Sequence, residues 1–207
     1  MQFKPRQLAA VLGFALSLGL AASPASASYV VDTGTPTQSG MWMFNANQYF
    51  AGEFDLTSSA VLNSIEGFFS TDSGSVAISI HADGGSLPGS ILYTANLTTG
   101  TGSEAWRGLS GLDWALTAGE YWVSFKPTFT SSYASFGSGV SSPMSQYAQG
   151  SGSYVWADEG PHFFDFLNAG VRIDATVAAV PEASTALMYG AGLLVLGGLA
   201  RRRALRS

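Results

Sequence analysis

The side chains able to do chemistry are few, and their spacing matches no common catalytic motif. The 207 residues contain no cysteine and two histidines, His81 and His162. Without cysteine there are no disulfides, thiolate zinc sites, iron–sulfur clusters or cysteine nucleophiles. No His-x-x-x-His, His-Glu or Gly-x-Ser-x-Gly spacing occurs, so the usual signals of hydrolases are missing as well. These counts favour a protein that is not an enzyme and has no catalytic residue.

One short segment nevertheless gathers an imidazole and three carboxylates: Asp158, Glu159, His162 and Asp165. Carboxylate oxygens on a loop could hold Ca²⁺, and a carboxylate beside an imidazole could act as an acid–base pair. The spacing is not that of an EF-hand, and charge clusters on loops are usually solvated, so an exposed turn is the alternative interpretation. Asp83, in a glycine-rich turn, carries the same choice between calcium ligand and exposed turn residue.

Aromatic side chains are the other candidates for binding a ligand, since they make up 23 of the 153 residues from 28 to 180. Flat rings on a rigid sheet can stack on the faces of sugars. Trp122, inside a predicted strand, is expected in the core. Trp156 is equally consistent with a core position and with a sugar contact. The candidate ligand-binding residues are therefore Trp156, Tyr154, Asp158, Glu159 and His162.

The elements that must position these side chains are predicted to be β-strands. Nineteen of the 25 glycines lie between residues 28 and 180, where they separate segments rich in β-branched and aromatic residues. Val76, Ile78 and Ile80 alternate with small or polar residues, which predicts a half-buried strand with His81 on its other face. Similar segments predict strands at 48–56, 61–69, 91–97, 120–126, 133–136, 153–157 and 171–177.

The fold predicted for residues 28–180 is an all-β, antiparallel, jelly-roll-like β-sandwich. No window of helical length there keeps a 3.6-residue apolar period without glycine, and seven to ten short strands suit two stacked sheets. The glycine- and serine-rich run 131–153 predicts a mobile loop at a sheet edge.

Two segments carry a resemblance to a known class of exported domains. Residues 79–92 read Ser-Ile-His-Ala-Asp-Gly-Gly-Ser-Leu-Pro-Gly-Ser-Ile-Leu, and residues 116–123 read Leu-Thr-Ala-Gly-Glu-Tyr-Trp-Val. This strand–turn–strand pattern, followed by a second strand signal, resembles the choice-of-anchor β-sandwich domains of type R across residues 44 to 126. The resemblance implies a β-sandwich at the cell surface and no catalytic residue.

Charge is distributed unevenly and limits the partners. The net charge of −5 divides into +2 for residues 1–27, −10 for residues 28–180 and +3 for residues 181–207. An acidic domain repels phosphate backbones, so nucleic acid is a poor partner, whereas cations and neutral sugars remain open.

The N-terminal residues 1–27 have the organisation of a secretory signal peptide. Lys4 and Arg6 precede an apolar run at 8–22, and Ala25-Ser26-Ala27 stands before Ser28, where cleavage is expected. The alternative is an uncleaved membrane anchor.

The C-terminal residues 181–207 have three parts in a fixed order. The motif Pro181, Glu182, Ala183 and Ser184 opens the segment. An uncharged run at 183–200 follows, which as a helix of about 27 Å could just cross a bilayer. Arg201, Arg202, Arg203 and Arg206 then act as a stop-transfer signal that leaves the domain outside. A buried core helix is the alternative, but this run has no polar face.

This order of parts resembles the PEP-CTERM sorting segment of Gram-negative bacteria that make exopolysaccharide. In that family an integral-membrane protease, exosortase, reads the segment. Ala183 stands where the family usually has a second proline. The resemblance implies cleavage near Pro181-Glu182, a transient inner-membrane stage with a periplasmic domain, and release to the cell surface or matrix.

The sequence thus favours a non-enzymatic exported surface or matrix protein without a cofactor, connected with exopolysaccharide or biofilm. Two alternatives remain open: a secreted hydrolase acting on glycans, and a calcium-dependent structural adhesin. A hydrolase needs at least two of Asp158, Glu159 and His162 in one cleft, whereas an adhesin needs oxygen ligands around an ion.

Overall fold

A computed structural model describes residues 27–131, 133–152, 155–158 and 168–177. Every regular element in these ranges is a β-strand, so the prediction of an all-β domain is confirmed for them. The same ranges include no helix with the length and hydropathy needed to cross a bilayer. The predicted membrane helix at 183–200 lies outside the described residues.

Twelve strands are present within the described ranges. They are β1 (Ala27–Asp32), β2 (Gln38–Met43), β3 (Tyr49–Leu56), β4 (Ala60–Thr71), β5 (Gly74–Asp83), β6 (Pro88–Thr99), β7 (Gly102–Leu116), β8 (Gly119–Pro127), β9 (Ser135–Ser138), β10 (Tyr147–Ser151), β11 (Val155–Asp158) and β12 (Val171–Val177).

The strands form two antiparallel sheets. The first has the order β1-β12-β4-β9-β2, with β7 also paired to β4, and the second has the order β11-β10-β3-β8-β5-β6. Buried apolar residues of both sheets belong to one cluster, for example Ile65 and Ile173 from the first sheet and Ile78 and Phe125 from the second. Two sheets that share a core in this way are compatible with a β-sandwich.

Strand alternation explains why the core forms where it does. Val76, Ile78 and Ile80 of β5 enter the shared core, as their spacing predicts, and His81 lies on the opposite face. The strand is not half-buried, however, because Ser79 and His81 are buried as well. Both faces of β5 are covered over these residues, so polar side chains on its second face do not indicate exposure.

All eight predicted strands are present, β12 with its predicted ends and the other seven with shifted ends, but β1, β2, β7 and β10 were not predicted. The prediction of a mobile edge loop at 131–153 was wrong for its described part. That part contains β9 and β10, and β10 lies between β3 and β11 inside the second sheet. Glycine suits this position because Gly150 leaves room for the ring of Tyr49, which a Cβ would overlap.

The turn between β5 and β6 follows its sequence signal closely. The Asp83 carboxylate accepts the backbone N–H of Gly85 at 2.9 Å, and Gly85 has a φ of +91°. Gly84 serves a different purpose, since a Cβ there would lie 2.6 Å from the carbonyl oxygen of Leu87. One glycine thus permits a left-handed backbone and the other a close approach.

Candidate functional site

The outer face of the second sheet carries polar and aromatic side chains from five strands. They alternate along each strand with the core residues and therefore point away from the core. This outer-face group comprises Tyr49, Ala51 and Glu53 of β3, Ser79 and His81 of β5, Trp122, Ser124 and Lys126 of β8, Ala148 of β10 and Trp156 of β11.

Ring contacts show that the second sheet curls over this face. The ring of Trp156 lies 5.3 Å from that of Tyr49 and 5.6 Å from that of His81, both edge-on. In a flat sheet, four strand spacings would place β11 about 19 Å from β5. That distance exceeds the combined reach of two side chains, so the sheet must bend to bring them together.

His81 and Ser124 form an imidazole–hydroxyl pair within the group. His81 Nδ1 is 3.1 Å from the carbonyl oxygen of Gly89, which can only accept, so Nδ1 carries the proton. Nε2 then accepts the hydroxyl proton of Ser124 at 2.8 Å. Burial lowers the pKa of His81, against a smaller opposing effect of the Gly89 contact, which favours the neutral ring.

This pair has the hydrogen bonding of a general base with its hydroxyl, but it is closed to solvent. His81 is 1% exposed and Ser124 is fully buried. A nucleophile must reach its substrate, and a general base must reach the proton that it removes. The pair therefore satisfies two buried polar groups in the described structure.

Trp122 is buried, and its side chain is hydrogen-bonded to that of Asp83. Trp122 is fully buried, as predicted, but it packs with Ala51 and Ala148 on the outer face rather than in the shared core. Its indole N–H donates to the Asp83 carboxylate at 3.3 Å, on the oxygen that also accepts from Gly85. Asp83 therefore has a structural role in the turn.

Two charged side chains of the group have shifted pKa values. Burial raises the pKa of Glu53, the hydrogen bond from Ser145 opposes this, and the negative charges of Asp83 and Glu120 add to it. The Ser145 hydroxyl lies 2.9 Å from Glu53 Oε2. Burial also lowers the pKa of Lys126, whose ammonium nitrogen lies 5.1 Å from the centroid of the Tyr49 ring. Both shifts favour the uncharged form.

Trp156 is the predicted site residue whose side chain the structure describes. It packs against the cluster of Ala51, Trp122 and Ala148 but is only half-buried, so the residue keeps some solvent exposure. Tyr49 and Trp122 beside it are fully buried. Among the described aromatic residues of the group, Trp156 is thus the one able to contact a ligand.

The other predicted site residues are placed only in part. Asp158 is described as a backbone position, paired with Ala148 in β11. Tyr154, Glu159, His162 and Asp165 lie outside the described residues. Within the described ranges, no three acidic or imidazole side chains gather in a way that could hold a metal ion.

The predicted processing sites also fall mostly outside the structure. Ala27 and Ser28, where signal cleavage is expected, begin β1 and pair with Thr176 and Ala175 of β12. Ala25 lies outside the described residues. So do the sorting motif at 181–184 and the arginines at 201–206.

A second aromatic group, on the first sheet, was not predicted. The guanidinium carbon of Arg172 lies 3.9 Å from the centroid of the Trp106 ring, and its Nε donates to Asp32 at 3.1 Å. Phe68 packs edge-on against the same indole at 5.5 Å. Arg172 thus covers one face of Trp106, which leaves this ring less available for stacking than its half-buried state suggests.

Comparison of the chain with protein-family models, curated proteins and solved structures gives no match.

Proposed function

We propose that the protein is a non-enzymatic component of the bacterial cell surface or extracellular matrix, connected with exopolysaccharide or biofilm. It is exported through its leader and sorted by its PEP-CTERM-like tail. The observation that carries the proposal is the order of parts after residue 180: Pro181-Glu182, an uncharged run of membrane-spanning length, and four arginines. That order suits membrane arrest with the domain outside, followed by exosortase cleavage.

Two structural features support a binding or scaffolding role over catalysis. The imidazole–hydroxyl pair of His81 and Ser124 is buried, and Asp83 is engaged in its turn. The finer description of the fold, a jelly-roll-like sandwich of the choice-of-anchor type, belongs to the same proposal. It draws support from two antiparallel sheets on one core and from the glycine turn between β5 and β6.

Sorting can be tested on the protein as cells export it. Mass spectrometry of protein recovered from the cell surface should find a C-terminus near Pro181, because cleavage there frees the domain from its membrane segment. Changing Pro181 and Glu182 together to alanine should leave the full chain in the inner membrane. Thr185→Ala is the matched control, because it alters the same segment outside the motif, and it should be processed like the parent chain. Surface protein that still ends at Ser207 would contradict processing and leave a permanent anchor.

The ligand proposed for the domain is polysaccharide, contacted through Trp156. The exposed part of Trp156 offers an apolar surface for a sugar ring. Lys126, partly exposed in the same outer-face group, adds a polar group of the kind that fixes sugar orientation.

Sugar binding should appear as a change in tryptophan fluorescence when exopolysaccharide from the producing strain is added. Trp156→Ala should abolish the change, because it removes the accessible ring of the outer-face group. Trp106→Ala is the matched control, since Trp106 is also half-buried but lies on the other sheet, and it should preserve the response. If both variants lose the fluorescence response, or if neither does, Trp156 is not the residue that contacts the sugar. Shortening of the polysaccharide during incubation would favour the hydrolase, and a response abolished by chelation would favour the calcium-dependent adhesin.

A further inference from the structure

The open edges of the two sheets differ in how well they are protected against pairing with another chain. Exposed edge strands pair readily unless they are short, charged, bulged or covered. Three edges in the described structure are short: β1 and β2 have six residues each, and β11 has four. The registers of β1 and β2 are also interrupted by irregularities. These three edges offer little continuous backbone to a partner.

The edge strand β7 is long but carries charge and a bulge. Its 15 residues include Glu104, Arg107 and Asp113. Its register with β4 jumps between Leu62 and Ser64, where Gly111 and Asp113 both have positive φ. Charged side chains and a bulge are devices that natural sheets use to prevent edge pairing. Strand β7 is therefore poorly suited to accept another strand.

The edge strand β6 has none of this protection over most of its length. Pro88–Thr99 contains no charged residue, although the domain around it is strongly acidic. From Tyr93 to Thr99 it pairs with β5 in unbroken register, and the irregularities lie before this run. Thr94, Asn96 and Thr98 are exposed on its outer face. Seven regular, uncharged residues, four of them the strand-favouring Tyr and Thr, thus border the second sheet.

Strand β7 contacts β6 through side chains but does not pair with its backbone. Tyr93 of β6 stacks on Trp114 of β7, with ring centroids 5.3 Å apart and an angle of 10°. The Tyr93 hydroxyl donates to the carbonyl oxygen of Ala115 at 2.9 Å. The two strands belong to different sheets, and side chains bridge them at this point. In the described structure, β6 has β5 as its one ladder partner.

We propose that β6 is a self-association edge, at which a second copy of this chain adds its own β6 in antiparallel orientation. The β6 strands of the two copies pair across a two-fold axis. Because β6 contains no charged residue, no like charges face each other along the pair, although both domains are acidic. Threonine and asparagine on the outer face can hydrogen-bond to their counterparts across the pair. The second sheets of the two copies then form one continuous sheet. This inference does not depend on the proposed sorting or sugar binding.

The absence of cysteine allows a direct test by cross-linking. Three single variants of the full-length chain, Thr94→Cys, Asn96→Cys and Thr98→Cys, are oxidised alone and in pairwise mixtures and run on non-reducing gels. Opposed positions in an antiparallel pair lie about 4.5–5.5 Å apart, within disulfide range. We expect strong disulfide-linked dimer formation when the two cysteines lie opposite each other in the β6 pair. Combinations in which one cysteine is displaced along the strand from the other should give less dimer. Ser110→Cys, exposed on the β7 edge, is the matched control and should remain monomeric.

A charge variant provides an independent measurement. In sedimentation of the detergent-solubilised chain, Asn96→Lys with Thr98→Lys should raise the apparent dimer dissociation constant by about tenfold or more, because lysines then oppose each other. Ser110→Lys should leave it unchanged. Association through the C-terminal segment would be insensitive to the β6 lysines. A monomeric parent chain, equal cross-linking at Ser110→Cys, or a dimer unaffected by the β6 lysines would each overturn the proposal.

Discussion

Replacing Phe136 with alanine is expected to lower the free energy of unfolding by about 3–5 kcal/mol. Phe136 is 1% exposed. The centroid of its ring lies near the centroids of four other rings: Phe44 at 4.7 Å, Phe69 at 5.0 Å, Phe50 at 5.1 Å and Phe125 at 5.8 Å. Phe69 belongs to the first sheet and Phe50 and Phe125 to the second, so the cavity left by truncation would open where the sheets meet. Thermal unfolding of the exported protein should show a midpoint lower by about 10 °C or more.

Tyr133 supplies the control for this experiment. It lies shortly before Phe136 in the chain and is 94% exposed. Tyr133→Ala should change stability by no more than about 0.5 kcal/mol, because it removes an aromatic ring without opening a cavity. Equal effects of the two substitutions would contradict the position assigned to Phe136 in the core.

The second large effect is expected at Gly108, where β7 pairs with β4 opposite Glu66. A Cβ on Gly108 would overlap the carbonyl oxygen of Ile65 and lie 2.7 Å from the Cα of Glu66. Both atoms are backbone and cannot turn aside as a side chain could. Gly108→Ala should therefore push β7 away from β4 and destabilise the domain by about 2–4 kcal/mol. Chemical denaturation of the exported protein would measure this loss.

Gly100, in the connection between β6 and β7, is the matched glycine. A Cβ there meets no atom within 4 Å, and the backbone is not left-handed. Gly100→Ala should leave stability unchanged or raise it by up to about 1 kcal/mol, because alanine restricts the unfolded chain. A comparable loss at both glycines would show that β7 does not approach β4 as closely as described.

The strands that sequence reasoning located are those with simple alternation. In β5, three apolar residues at every second position specify the face that meets the core, and the Asp-Gly-Gly turn specifies where the strand ends. Strand β7 escaped prediction because its alternation is interrupted. Residues 111–113 all lie opposite Asn63, so the apolar period shifts within the strand. A bulge of this kind depends on the partner strand and has no reliable signal in one sequence.

The outer-face group could be predicted only as separate residues. The sequence suggested Trp156 as a ligand contact and placed His81 on the polar face of its strand. Their contact depends on the curl of a six-stranded sheet, which arises from the twist of all its strands together. The burial of Ser124 and His81 depends on the same curl. Tertiary geometry thus decided which polar residues became interior.

The position of β12 determines how the domain responds to a mechanical force. This strand is the last one described before the proposed sorting segment, and it lies between β1 and β4. Five residue pairs join it to β1 and seven join it to β4. Antiparallel hydrogen bonds run perpendicular to the strands, so tension along β12 loads both ladders in shear rather than peeling them open bond by bond. A cell-surface domain held through this strand would resist drag along that axis until both ladders yielded together.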